Sequence, residues 1–158
     1  MKKKLSHLID DKASMVDISL KNYTKRTAKA EAKVIFSVQA FNNLIQKGSS
    51  KGEIFSTARI AGIQAAKKTS ELIPLCHKIN LDKIDIDFSI DHTKKTINLT
   101  SECKCFAKTG AEMEALVSVT NAALTIYDMC KSLDKNIRIS GIKLKFKSGG
   151  KSGEFKND

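Results

Sequence analysis

The chain has no tryptophan, one proline at position 74 and four cysteines among its 158 residues. The cysteines, Cys76, Cys103, Cys105 and Cys130, show no C-x-x-C spacing. Neither a zinc site nor a disulfide framework is therefore expected, and all four read as reduced, mostly buried thiols. No apolar run approaches the roughly 20 residues a membrane helix needs, so no membrane partner is expected. The start, MKKKLSHLIDDK, passes from lysines to acids without an apolar stretch and does not read as a secretory signal. A cytoplasmic location is the expectation. Near the other end, KSGGKSG lacks the G-x-x-x-x-G-K-[ST] spacing of a P-loop. It reads either as a cationic loop that closes over an anion or as an untethered tail.

What remains suits one domain over residues 1–158 with a real core, since 41% of the chain is hydrophobic. Residues 1–13 and 148–158 are expected to be mobile. The net charge of +11 is concentrated at the ends. Residues 1–33 carry nine Lys/Arg against four acids, residues 131–158 carry eight against three, and the stretch between carries eleven against ten. Such a distribution favours a polyanionic partner: a nucleotide, a nucleic acid or an acidic surface.

The organising stretch is Thr109–Leu133, TGAEMEALVSVTNAALTIYDMCKSL, which reads as one long helix. Thr109 and Glu112 form a candidate capping box. No charge falls between Ala115 and Tyr127, so other elements must cover most of the helix. Asp128 and Lys131 are neighbours on one face near its far end. They read as an ordinary ion pair or as a pair able to pass protons. A second helix is expected from a box at Ser50 and Glu53, ending before Pro74. Its small residues (Ala58, Ala61, Gly62, Ala65, Ala66) predict close packing on another element.

Residues 83–91 and 96–106 alternate cleanly and predict an antiparallel hairpin. Residues 27–36 suit another strand, and 14–19 a short edge strand. Ser37 is placed to cap a short helix that Gly48 would end. After the long helix, the apolar parity changes at Ser140-Gly141, which predicts a β-bulge. Leu144 and Phe146 would then face the core, opposite the lysines at 143, 145 and 147. The order of elements reads as α+β, with helices on one face of an antiparallel sheet.

Residue types alone nominate a basic α+β domain that binds or acts on a polyanion. His77, just past a helix end, is either structural or a proton-handling group in a cleft. Lys51 sits in a helix first turn, where the dipole disfavours a cation, which hints at an outside partner. Arg26 lies in a basic run. The rival reading is a basic nucleic-acid-binding α+β module, which needs aromatics on the open sheet face.

The stretches MVDIS, KG-x-x-F-x-TARIAGIQAAK, LIPLCH, KTG-x-EMEAL, AALTIYDMCK and KSGGKSG together resemble the molybdenum-cofactor biosynthesis protein C family, the cyclic pyranopterin monophosphate synthases. The resemblance spans about residues 14–155. It implies a ferredoxin-like antiparallel sheet with helices packed on one face. It also implies a homohexamer, a trimer of dimers with sites at subunit interfaces. The implied activity is a lyase that converts 3′,8-cyclo-7,8-dihydro-GTP to cyclic pyranopterin monophosphate and pyrophosphate. By the same resemblance Asp128, Lys131 and Lys51 would be catalytic. Leu75, Cys76, His77, Met113, Glu114, Glu112, Arg26 and Lys147 would bind substrate. No resident cofactor or metal is implied beyond Mg²⁺ accompanying the triphosphate, and no nucleic-acid partner. Lys78 stands where the family usually has proline, and Asn121 where it is usually apolar.

Overall fold

The structure, a computed structural model, describes residues 6–9, 11–46, 48–151 and 153–157; the side chains of Ile9 and residues 48–51 are outside what it describes. A small hairpin, β1 (Leu8–Ile9) with β2 (Lys12–Ala13), precedes the main sheet. The main sheet is built from β3 (Thr24–Ile35), β4 (Lys83–Asp91), β5 (Thr96–Ala107), β6 (Arg138–Ser148) and β7 (Phe155–Lys156). Between β3 and β4 come α1 (Val38–Gln46), α2 (Gly48–Lys67) and α3 (Thr69–Leu72); α4 (Glu112–Cys130) joins β5 to β6. The strand order is β4-β5-β3-β6-β7 and every pairing is antiparallel. This is the α+β architecture expected, a split β-α-β arrangement with α2 and α4 side by side on one face.

Small side chains bring the layers together. On the helix side of β3, Ala28, Ala30 and Ala32 are essentially fully buried and leave room for α4 to lie close to the sheet. The small residues of α2 do what their spacing predicts: Ala58 and Ala66 are buried, and Gly62 meets α4. A Cβ on Gly62 would lie 2.8 Å from the Ser118 carbonyl oxygen and 3.2 Å from the Ala122 Cβ. Ser101 on β5 donates a buried hydrogen bond to the Ala115 carbonyl (2.7 Å), fixing how far α4 can slide along the sheet.

Several local expectations change. Ser37 does cap α1, accepting from Ala40 N–H through its Oγ at 3.3 Å. The box at Thr109 does not form: α4 begins at Glu112 behind Ala111, which makes no side-chain capping bond. The box at Ser50 and Glu53 does not mark a helix start either, because α2 is already helical from Gly48. Residues 14–19 form no strand: 14–18 are irregular and Ser19 enters a turn. The glycine-rich tail returns to the sheet as β7, Phe155 opposite Lys147 and Lys156 opposite Phe146.

The bulge at Ser140-Gly141 is present, with Gly141 at φ +63°, but β6 carries a second one that periodicity did not reveal. Ala28 pairs with Lys147 and Lys29 with Phe146, whereas Ala30 pairs with Leu144, so one extra residue is inserted at Lys145. Lys147 is thereby turned to the helix side and Phe146 to the open face, the reverse of the expected assignment.

Gly62→Ala tests the α2–α4 contact. Overpacking costs about 1–3 kcal/mol, against a helix-propensity gain of about 1 kcal/mol, so urea unfolding should show a net loss on the order of 1 kcal/mol. Gly52→Ala in the same helix, where a Cβ meets nothing within 4 Å, should instead stabilise the protein.

Candidate active site

The N-terminal end of α4 opens into a two-lobed cleft. The larger lobe has a volume of about 690 Å³ and is lined by Lys21, Arg26, Lys108 and Lys151, with Thr24 and Gly150. The smaller, about 310 Å³, is lined by Leu75, Cys76, His77, Met113 and Glu114. Lys21, Thr109, Gly110 and Glu112 line both, so the lobes are continuous.

Each wall has a local cause. Arg26 comes from the first residues of β3, on the same side as Ala28. Gly149 and Gly150 have positive φ, and a Cβ on Gly150 would run into the Arg26 guanidinium. The loop after β6 can approach Arg26 this closely only with glycine there. Lys147, turned inward by the second bulge, binds the Glu112 carboxylate at 2.9 Å. That carboxylate folds back over Gly110, where any side chain would collide with it. Glu112 thus spends its charge on Lys147 and not on a capping box with Thr109.

The lobes differ in polarity. In the larger, the Arg26 Nε and the Thr24 Oγ1 are buried and have no hydrogen-bond partner among the described residues. Orphaned buried polar atoms in a lysine-rich cleft are what an anion with several oxygens would satisfy. In the smaller, Glu114 is 4% exposed. Burial, reinforced by the neighbouring Glu112 charge, pushes its carboxyl up to about 7. Burial and then the Glu114 charge raise the Cys76 thiol, so it is a protonated lining group and not an activated thiolate. The other three thiols are buried, and burial lifts Cys103 to about 12 and Cys105 and Cys130 to about 11.

All eight residues expected to bind substrate gather here: seven line the lobes and Lys147 joins them through Glu112. Of the three expected catalytic residues, Asp128 and Lys131 do not. Asp128 and Lys131 pair at 2.6 Å, but their side chains are 68% and 57% exposed. Asp128 is in the last turn of α4 and Lys131 is its C-terminal cap; Asp128, sixteen positions beyond Glu112, is about 24 Å along the axis from it. Within one chain the pair faces water, as an ordinary surface ion pair does. The hydrogen bond from Lys131 to Asp128 raises the lysine above its ordinary value. The Lys51 side chain lies outside the described residues. Lys151 belongs to the KSGGKSG stretch read as a candidate anion-closing loop, whereas Lys21, Thr24 and Lys108 were not nominated by residue type, although Lys21 belongs to the basic run of the first 33 residues.

Among the described residues, no group of three His, Cys, Asp or Glu is placed to hold a metal ion, and no helix is long and apolar enough to cross a membrane. The fold and cleft define an α+β protein built to take a small, anionic, partly apolar molecule. Residues 15–150 match the MoaC family, and the chain belongs to that family. It is 49% identical over 155 residues to the cyclic pyranopterin monophosphate synthase of Bordetella avium, covering 98% of this chain and 96% of the relative. The synthase of Bordetella petrii is 46% identical over the same shares of each chain. That of Heliobacterium modesticaldum is 48% identical over 90% of each.

Glu114 should leave a signature in stability. Its carboxyl is raised in the folded state, so folding favours the protonated form. The wild type should lose stability as pH rises from about 4.5 to about 7, by on the order of 2 kcal/mol. Glu114→Gln should lack this slope. Melting curves of both proteins across that range check it.

Proposed function

We propose that this chain is a lyase that converts 3′,8-cyclo-7,8-dihydro-GTP to cyclic pyranopterin monophosphate with release of pyrophosphate, in molybdenum-cofactor biosynthesis. The observation that carries the reading is the pairing of a lysine- and arginine-lined lobe with a smaller lobe holding a buried acid whose carboxyl is raised to about 7. The first suits the triphosphate, whose negative charge needs several cations to offset repulsion and to stabilise the departing pyrophosphate. The second suits the purine-derived ring, flanked by Leu75, Met113, Cys76 and His77. Opening and rebuilding that ring requires protons delivered to and taken from nitrogen and oxygen. Glu114, raised to about 7, is poised to donate or accept one near neutral pH.

The reading assigns Asp128 and Lys131 to the acid–base work, with Lys51. A pair lying about 24 Å along the helix from its own cleft can serve only the cleft of another copy. The site is then composite, made at a subunit interface of the homohexamer, a trimer of dimers. The exposure of Asp128 and Lys131 in a single chain is what an interface contribution requires. The reading uses no resident cofactor, and Mg²⁺ enters only as a companion of the triphosphate. It places the protein in the cytoplasm and gives the sheet the ferredoxin-like topology.

The nucleic-acid-binding alternative gains Phe146 on the open sheet face, but that face is not a free cationic platform. Lys29 and Lys104 are both bound to Glu102, Lys143 and Lys145 flank Glu31, and the Phe106 ring is stacked on Tyr23.

Incubation with the cyclised nucleotide should release pyrophosphate, and Asp128→Ala should lower kcat by about 10²–10⁴-fold. Mixing Asp128→Ala chains with Arg26→Ala chains, each inactive alone, should restore part of the activity, because some interfaces then carry one intact site. No recovery on mixing would place the whole site within one chain.

A further inference from the structure

Residues 14–23 join the N-terminal hairpin to β3 without pairing to any strand, yet they form one long wall of the cleft. Val16 and Ile18 line the smaller lobe, Leu20 and Asn22 the larger, and Lys21 lines both. The segment is braced internally by a tight turn. Ser19 N–H donates to the Asp17 carboxylate at 2.8 Å, and Lys21 N–H donates to the Ile18 carbonyl at 3.1 Å. Its tip is unsupported, with Leu20 98% exposed.

Its attachment to the body runs through the last residues of β5 and Lys108 just after them. The Lys108 ammonium donates to the Ser19 carbonyl at 2.8 Å and lies 5.5 Å from the Tyr23 ring centroid. Tyr23 in turn stacks on Phe106, centroids 5.8 Å apart. The same Lys108 accepts a hydrogen bond at its carbonyl from Arg26 Nη2 (3.3 Å). One residue therefore holds both the outer wall and the guanidinium on the cleft floor, beside the two orphaned polar atoms, Arg26 Nε and Thr24 Oγ1.

We infer that Lys108 and the Tyr23–Phe106 ring pair are positioning residues, which hold residues 16–22 as a cleft wall and set the aim of Lys21 and Arg26 at the phosphate chain of the ligand. Lys21 stands on an unpaired segment and Arg26 on a β3 end, and neither element fixes a long flexible side chain by itself. A bracket that removes the freedom of that wall before binding lowers the ordering cost of the complex. Phe106 is the informative member, because it does not line the cleft. The inference rests on the proposed function for its ligand, but not for its mechanical content.

The test uses the full chain with Phe106→Ala, Lys108→Met and Lys108→Arg. Amide exchange of residues 16–22 is followed without ligand, and binding of GTP, a stable triphosphate of the same class, is followed by calorimetry. Phe106→Ala and Lys108→Met should each speed exchange across 16–22 and weaken GTP binding, both about tenfold. Lys108→Arg, which keeps a cation within reach of the Ser19 carbonyl, should restore both. Protection of β5 and α4 should not change, which separates release of the wall from unfolding. With the cyclised nucleotide, the loss should fall on KM and not on kcat. Unchanged exchange in both variants overturns the inference. Weaker GTP binding by Lys108→Met with unchanged exchange also overturns it, since Lys108 would then be a direct phosphate ligand. Absence of pyrophosphate release by the wild type, with the exchange difference intact, would refute the lyase reading and leave the bracket standing.

Discussion

The seating of α4 against the alanines of β3 is the constraint on which the rest depends. Ala28, Ala30 and Ala32 offer no side chain beyond Cβ, so the helix lies close over the centre of the sheet. Gly62 lets α2 approach from the side until its backbone meets the Ser118 carbonyl. Close packing of this kind leaves little freedom to slide, because any shift drives atoms into overlap or opens voids. With the helix axis fixed, so are its two ends. The first turn, with Glu112 and Glu114, is held at the mouth of the cleft, and the last turn, with Asp128, is held away from it. What each end can reach is decided by backbone packing in the core before any functional side chain is considered.

Electrostatics in the cleft follow from that placement. A helix start favours negative charge, and α4 brings two carboxylates there. Glu112 is compensated by Lys147, which the second bulge of β6 turns inward. Glu114 has no such compensation and responds to burial by holding its proton to about pH 7. Two acids two residues apart are thereby driven into different roles: one a charged anchor, the other a buried carboxyl that titrates near physiological pH. The lysines and Arg26 of the larger lobe are left to face whatever anion enters.

Much of this was legible in the sequence, and the parts that were not have specific causes. The strand at 83–91 was readable to the residue because one side of it is apolar and the other polar. The long helix and the small-residue face of α2 were readable because burial imposes periodicity. The β6 register was misread after Leu144, because a bulge is a backbone event at one residue and leaves the composition of the strand untouched; periodicity counts residues, not hydrogen bonds. The capping box at Thr109 failed because Glu112 had a stronger partner in Lys147, thirty-five residues away. The residues that resemblance nominated for substrate binding lie around one cleft. It could not reveal that Lys108 links two parts of that place, since the link runs through its carbonyl and through its contact with the Ser19 carbonyl, both backbone acceptors.

The separation of Asp128 and Lys131 from the cleft is the feature with the widest consequence. Within one chain the pair is an exposed i,i+3 ion pair, and in bulk water such a pair contributes little to stability. Local stability therefore gives little reason to keep this acid and this lysine together. A neighbouring chain at this position would change that balance. Docking the end of α4 against another copy's cleft would strip water from the pair and strengthen each electrostatic interaction it makes. It would also bring the pair within reach of a ring held beside Glu114. Chemistry would then depend on assembly. A free subunit would hold a competent binding cleft and an acid–base pair in water, each unable to act on the other within the same chain. Unassembled chains could bind the substrate without turning it over, so the proton-moving groups would meet the reactive nucleotide only inside a completed interface.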